Sequence, residues 1–194
     1  MMELLLASKS PRRRQLLSQL GYPVRFVNVD VDEVVPEGLP PEEIPSQLAL
    51  LKAQAWPQAN LHSGQVLVTA DTIVCHQGIV LGKPHDRHQA VEMLQSLSGD
   101  SHTVYTGVCL RSNTSQRLFT EHTQVFFKKL SHAEIEYYVD HFNCLDKAGA
   151  YGIQEWIGMV GVERIEGCFY NVMGLPLAHL FAELQLLNDT LPSQ

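Results

Sequence analysis

The chain has 194 residues, of which 45% are hydrophobic and 18% are charged, a balance typical of a globular domain rather than a disordered chain. Acidic residues outnumber basic ones by 21 to 14, so the net charge is -7. This acidity argues against a nucleic-acid binder or a membrane-surface protein, both of which usually need a basic excess.

The first half of the chain alternates apolar strands with helices. Residues 4–7 predict a buried strand, and Ser10 and Pro11 then predict a helix N-cap and its first residue. Further strands are predicted at 24–29 and 65–70, and a helix at 46–56. Strand–helix alternation of this kind is typical of α/β proteins.

The second half mixes hairpins with helices. Antiparallel pairs are predicted at 73–75 with 79–81 and at 104–111 with 118–127, helices at 86–97, 131–141 and 176–187, and a strand at 156–165. Ser131 with Glu134 forms a capping-box pattern. We therefore expect an α/β fold with a mixed sheet and flanking helices, and a single domain over residues 1–194.

The cysteines and the N-terminal residues indicate the cellular compartment in which the protein works. None of the four cysteines forms a CxxC pair or has a histidine at zinc-site spacing, which predicts free thiols and a reducing compartment. The apolar run at the N-terminus is too short for a signal peptide, and no stretch approaches transmembrane length. We expect a cytoplasmic protein.

The first candidate for chemistry is the segment from Ser8 to Arg14, where a strand gives way to a helix. A helix N-terminus favours anions, and Ser8, Arg12 and Arg13 add donors suited to phosphate oxygens. Alternatively, Ser10 only caps the helix and the arginines are solvated.

The second candidate is Asp71, which follows an apolar strand at the place where open α/β sheets bind ligands. Asp71 could hold a metal or orient a water, and Thr72 could contact substrate; the alternative is a turn residue that closes the strand. Dehalogenase-type phosphatases are excluded because they need a second aspartate where Ile73 stands.

Two further segments carry polar residues among glycines. Gly82-Lys83-Pro84 lacks the spacing of a P-loop but leaves Lys83 as a cation for a polyphosphate. The segment 146–154 ends in Gln154, whose amide can pair with a base edge. Alternatively, Lys83 is a surface lysine and Gln154 a turn residue.

Together these segments resemble the Maf family of nucleotide pyrophosphatases over residues 6 to about 177. The resemblance is carried by residues 7–13, 52–53, 70–72, 82–84, 97–99 with His102, 106–108, 146–154 and 171–176. It implies an elongated, two-lobed, ITPase-like α/β fold with a deep central cleft, often dimeric, and a requirement for Mg²⁺ or Mn²⁺. Arg12, Thr72 and Gln154 match the branch that prefers dTTP and UTP, whereas Glu155-Trp156 depart from the expected pattern.

The resemblance also implies roles for individual residues. It makes Asp71 the expected proton acceptor for an attacking water. Because hard carboxylate oxygens suit Mg²⁺ or Mn²⁺, we further expect Glu33 and Asp71 to hold the metal that activates this water. The expected substrate-binding residues are Ser8, Arg12, Arg13, Lys52, Thr72, Lys83 and Gln154. The expected reaction is hydrolysis of a nucleoside triphosphate to the monophosphate and pyrophosphate.

A nucleotide-binding regulator without turnover would use the same phosphate pocket. Asp71 argues against that alternative, because binding a tetra-anion gains nothing from a carboxylate among the phosphates. A Rossmann-type dehydrogenase is excluded because no GxGxxG follows a strand.

Overall fold

The computed structural model describes residues 2–32, 34 and 38–190. Over this part of the chain the helices are α1 Pro11–Ser18, α2 Ile44–Ala55, α3 Arg87–Leu97, α4 His132–His141, α5 Trp156–Gly161, α6 Phe169–Val172 and α7 Leu177–Thr190. The strands are β1 Glu3–Ala7, β2 Val24–Val27, β3 Gln65–His76, β4 Ile79–Leu81, β5 Ser101–Arg111, β6 Gln116–Phe127 and β7 Val162–Gly167.

The strands form one mixed sheet. Its order is β2-β1-β3-β5-β6-β7, and β4 pairs with β3 outside this path. β1 runs parallel to β2 and to β3, whereas β4 is antiparallel to β3 and β7 is antiparallel to β6. The predicted mixed α/β fold is confirmed.

The described chain forms two compact units. Unit 1 contains the residues up to Asp71, Thr106–Glu121 and the residues from Gly174 onward, and unit 2 contains Thr72–Tyr105 and His122–Met173. The prediction of one domain with a deep central cleft stays a prediction.

The core of unit 1 surrounds its parallel strands. Leu4, Leu5 and Leu6 of β1 and Val66 and Leu67 of β3 are fully buried, as expected for strands covered on both faces. Because β1 has β2 on one side and β3 on the other, the sheet reverses its winding direction between β1 and β3, and such a switch point opens a crevice at the carboxyl ends of the strands.

The core of unit 2 includes a buried histidine. His102 is 3% exposed, its Nε2 lies 2.7 Å from the hydroxyl oxygen of Tyr151, and its ring stacks on Phe127. These contacts give His102 a structural role in the core of unit 2. Burial lowers the pKa of His102 to about 3, assisted by the nearby charge of His76 and opposed by that of Asp100.

This histidine makes unit 2 sensitive to acid. Below its ordinary pKa of 6.5, His102 gains a proton in the unfolded chain but stays neutral in the folded one down to about pH 3, so acid favours unfolding in this window. We expect the free energy of unfolding of the wild type to fall by about 1.4 kcal/mol more than that of His102→Gln between pH 5.5 and pH 4.5. Denaturant titrations at both pH values measure the difference, and equal losses would contradict this assignment.

Two sequence-based assignments are wrong. Residues 65–76 form one strand and not a strand followed by a hairpin arm, so Asp71 lies within β3 instead of closing it. Residues 156–165 are helix α5 followed by β7, not one strand. Gly158 allows the helix, because a Cβ at this position would lie 1.8 Å from the carbonyl oxygen of Ile153.

The four cysteines are free, as predicted. Over the described residues, no helix combines the length and the apolar character that a membrane crossing needs.

Candidate functional site

The start of α1 has the predicted geometry. Ser10 has an extended backbone and its side chain accepts from the amide of Arg13, while Pro11 occupies the first turn. The amide of Ser10 donates to Ser8 Oγ at 3.2 Å. The loop that follows β1 is therefore ordered by its own serines and leads into a helix N-terminus that can bind an anion.

Asp71 pairs with Lys52 in unit 1. The Nζ of Lys52, on α2, donates to Oδ1 of Asp71 at 2.6 Å, and the two side chains are only 15% and 14% exposed. Thr69, two residues earlier on β3, donates its hydroxyl to the carbonyl of Ala49 at 2.6 Å and thereby ties β3 to α2. The structure thus joins two predicted site residues that are 19 positions apart in the sequence.

Arg13 supports the backbone next to Asp71. Its Nη1 donates to the carbonyl of Ala70 and its Nε to the carbonyl of Gly174, both at 2.8 Å. These contacts connect α1 to the residue before Asp71 and to the turn before α7. They give Arg13 a positioning role that the sequence did not suggest, and its expected contact with phosphate stays a prediction.

The Arg13 contacts predict a defect in turnover. Lysine keeps the charge but lacks the planar fork that reaches both carbonyls, so we expect Arg13→Lys to lower kcat by about tenfold, the cost of one charged hydrogen bond. Steady-state kinetics measures this loss in kcat. Thermal unfolding shows whether the variant is also less stable than the wild type. Full retention of kcat would show that Arg13 does not position Asp71.

The predicted residues of unit 2 lie on adjoining segments. Thr72 begins the unit 2 part of β3, and two positions later Val74 packs so tightly on Gly149 that a Cβ at Gly149 would lie 3.1 Å from a Val74 methyl. The amide of Gly149 donates to the carbonyl of Gly82 at 3.0 Å, which places the exposed Lys83 beside the segment that leads to Gln154.

A buried network holds the segment 146–155. Lys147 is 5% exposed, and its Nζ lies 2.8 Å from Oδ1 of Asp146 and 3.0 Å from Oε1 of Glu155. The other carboxylate oxygen of Glu155 accepts from the hydroxyl of Tyr138, which itself accepts from the amide of Gly152 at 3.0 Å. Burial and the contact with Glu155 raise the pKa of Tyr138, so its hydroxyl remains a donor.

This network accounts for Glu155, which departs from the pattern expected of the family. Glu155 immediately precedes α5, yet it makes no capping hydrogen bond, because its carboxylate is engaged by Lys147 and Tyr138. Sequence reasoning missed both partners; the only available sign was a lysine inside an alanine- and glycine-rich run. The result is a segment fixed on both sides of Gln154.

Gln154 itself is partly buried, and its Oε1 accepts no hydrogen bond from the described residues. Glu33, the other expected metal ligand, lies outside the described residues. Within those residues, no group of three or more histidine, cysteine, aspartate or glutamate side chains could hold a metal ion.

The fold and these residues define a class of protein: a mixed-sheet α/β protein with a polybasic helix start at a switch point and a lysine-paired aspartate. The family model described as Maf-like protein matches residues 3–187. The chain belongs to the Maf family.

Curated relatives match almost the whole chain. A dTTP/UTP pyrophosphatase of Bacteroides thetaiotaomicron is 52% identical over 187 residues, which cover 95% of this chain and 96% of the relative. A dTTP/UTP pyrophosphatase of Porphyromonas gingivalis is 46% identical over 187 residues, covering 94% and 93%. Among solved structures, the Staphylococcus aureus Ham1 protein matches with a TM-score of 0.54 at 14% identity, over 94% of this chain and 99% of that one, and this likeness concerns the fold alone.

Proposed function

We propose that the protein hydrolyses dTTP and UTP to the monophosphate and pyrophosphate. The observation that carries the proposal is the Lys52–Asp71 pair beside the helix start at the switch point of unit 1. A carboxylate next to an anion-binding helix start costs affinity for a phosphate, so it favours chemistry over binding alone. The names of the curated relatives support the substrates.

In this proposal the cations bind the triphosphate, and Asp71 accepts the proton of the attacking water. Ser8, Arg12 and the amides at the start of α1 bind phosphate oxygens, Lys52 and Lys83 offset the charge that develops on the leaving pyrophosphate, and Arg13 supports the site. The Asp71 carboxylate aligns a water and accepts its proton as the α–β bond breaks. Thr72 and Gln154 contact the base.

A divalent cation fits the donors available. Asp71 and Glu33 are the carboxylates proposed to hold it. Mg²⁺ is commonly held by one or two carboxylates together with substrate phosphates, rather than by an all-protein cage. When bound, such an ion would make a water more acidic and offset phosphate charge.

A homodimer and a cytoplasmic location also stay predictions.

The products test the function. We expect incubation with dTTP or UTP and Mg²⁺ or Mn²⁺ to yield the monophosphate and pyrophosphate, which ion-exchange chromatography separates from a diphosphate and orthophosphate. Release of orthophosphate would show that a different bond is cleaved. Nucleotide binding without any product would instead favour a nucleotide-binding regulator that has no turnover.

A further inference from the structure

Helix α2 packs on the sheet of unit 1 through small residues. Ala49 and Ala53 are fully buried and belong to one apolar cluster with Leu67 of β3 and Cys109 of β5. The two alanines are four positions apart, so they lie on the same face of the helix. Because alanine adds only a methyl group to the helix surface, the backbone of α2 can lie close to the strands.

Gly107 permits this close approach at the start of α2. A Cβ at Gly107, on β5, would lie 2.2 Å from the carbonyl carbon of Pro45 and 2.2 Å from the amide nitrogen of Ser46. Both distances are far shorter than a van der Waals contact, so a larger residue at position 107 would push the helix away from the sheet. The first turn of α2 is therefore held by backbone contact with β5.

A buried hydroxyl holds the next turn of α2. Thr69 is 0% exposed, and its hydroxyl donates to the carbonyl of Ala49 at 2.6 Å. A helical carbonyl oxygen has two lone pairs, so it can accept from a side chain as well as from its helical partner. The preceding residues of β3 are the buried apolar Val66, Leu67 and Val68. In such surroundings a hydroxyl is costly to bury unless it is hydrogen-bonded, and the contact with α2 satisfies it.

The same two faces meet again at the candidate site. Asp71 follows Thr69 by two positions on β3, so both side chains lie on one face of the strand. Lys52 follows Ala49 by three positions on α2, so both lie on one face of the helix. The stem of a lysine is flexible. The position of its helix backbone therefore decides whether the ammonium of Lys52 reaches Asp71 at the observed 2.6 Å.

We propose that Thr69 is a positioning residue for the reaction: its hydroxyl, acting through the carbonyl of Ala49, holds α2 where Lys52 meets Asp71. The proposal rests on the proposed function, since it concerns the lysine and the aspartate of that reaction. There Lys52 offsets charge that develops on the leaving pyrophosphate, which matters more in the transition state than in the bound substrate. A displacement of about 1 Å in such a group can cost about 100-fold in rate.

Three variants at position 69 separate the hydroxyl from the volume of the side chain. Thr69→Val nearly keeps the shape but removes the hydroxyl, and Thr69→Ala removes both. We expect each to lower kcat for UTP by about tenfold, with KM changed by less than about twofold. Thr69→Ser keeps the hydroxyl, and we expect it to retain at least about half of the wild-type kcat, although it loses a buried methyl group and is less stable than the wild type.

The matched control is Thr103→Val, which makes the same chemical change at a half-buried position of β5 within unit 2. We expect wild-type kcat and KM from this variant. Thermal unfolding of all four variants shows whether the loss of kcat follows the hydroxyl or the stability of the protein.

Other results would overturn the proposal. If kcat follows stability, so that Thr69→Ser is slower than Thr69→Val, the side chain only fills the core. Unchanged kcat in both Thr69→Val and Thr69→Ala would show that α2 is held without the hydroxyl. A raised KM with unchanged kcat would connect Thr69 to substrate binding instead of the transition state.

Crystal structures of the variants separate this proposal from the proposed function. We expect the distance between Lys52 Nζ and Asp71 Oδ1 to exceed about 3.5 Å, beyond hydrogen-bond reach, in Thr69→Val and to stay near 2.6 Å in Thr69→Ser. If the wild type releases no pyrophosphate but the distances differ in this way, the proposed function fails and the positioning of Lys52 by Thr69 stands. If UTP is hydrolysed and the two distances are equal, the proposal for Thr69 fails and the proposed function stands.

Discussion

Replacing Asp71 with asparagine should lower turnover of dTTP by about 100- to 1000-fold while nucleotide binding is retained. Asparagine has nearly the same shape, so the packing around the 14%-exposed side chain is kept. It cannot accept the proton of a water, and its neutral oxygen is a poor ligand for a cation. Steady-state kinetics gives the loss in kcat, and calorimetry with dTMP reports whether binding survives.

The control for this variant is Asp30→Asn, which makes the same chemical change at a fully exposed side chain whose ion pair with Lys9 spans 3.6 Å. A pair between such exposed groups contributes little. We therefore expect wild-type kinetics from Asp30→Asn. An Asp71→Asn protein that keeps half of the wild-type rate would remove Asp71 from the mechanism.

The elements predicted correctly are those that local sequence determines. Ser10 and Pro11 at the start of α1, and Ser131 with Glu134 at the start of α4, satisfy helix ends with groups at most three residues away. Such patterns need no knowledge of the rest of the fold. For that reason the helix start proposed to bind phosphate could be located from sequence.

Elements that depend on distant partners were misassigned. The polar pair Asp71-Thr72 looks like the end of a strand, yet β3 continues because β1 pairs with its first part and β4 with its last. Glycines in 156–161 suggest an interrupted strand, whereas Gly158 permits a helix packed on the carbonyl of Ile153. In both places tertiary contacts override local propensity.

The contacts within the candidate site could not be predicted at all. Arg13 and Gly174 are 161 positions apart, and Lys52 and Asp71 are 19 apart. Single-sequence patterns carry no information about which distant groups meet. Sequence supplied the residue types for the chemistry, whereas the support from Arg13 and from the Lys147–Glu155–Tyr138 network emerged only from the fold.

Replacing Gln154 with alanine should weaken the discrimination between uracil or thymine and cytosine. Uracil and thymine present a carbonyl, N3–H and a second carbonyl along one edge, and an amide can donate to one group and accept from the next. Cytosine carries an amino group and an unprotonated N3, so the pairing would have to reverse. A buried polar group left unpaired costs about 1–3 kcal/mol, or roughly 5- to 150-fold in discrimination.

We therefore expect the wild type to prefer UTP over CTP within that range and Gln154→Ala to narrow the ratio while the metal dependence is unchanged. The buried, unpaired Oε1 strengthens the expectation, because removing it costs no hydrogen bond within the described protein. Gln95→Ala, an exposed position on α3, serves as the matched control. The measurement is kcat/KM for UTP and CTP on all three proteins, and an unmoved ratio would make Gln154 a turn residue and leave base recognition to backbone groups or to Thr72.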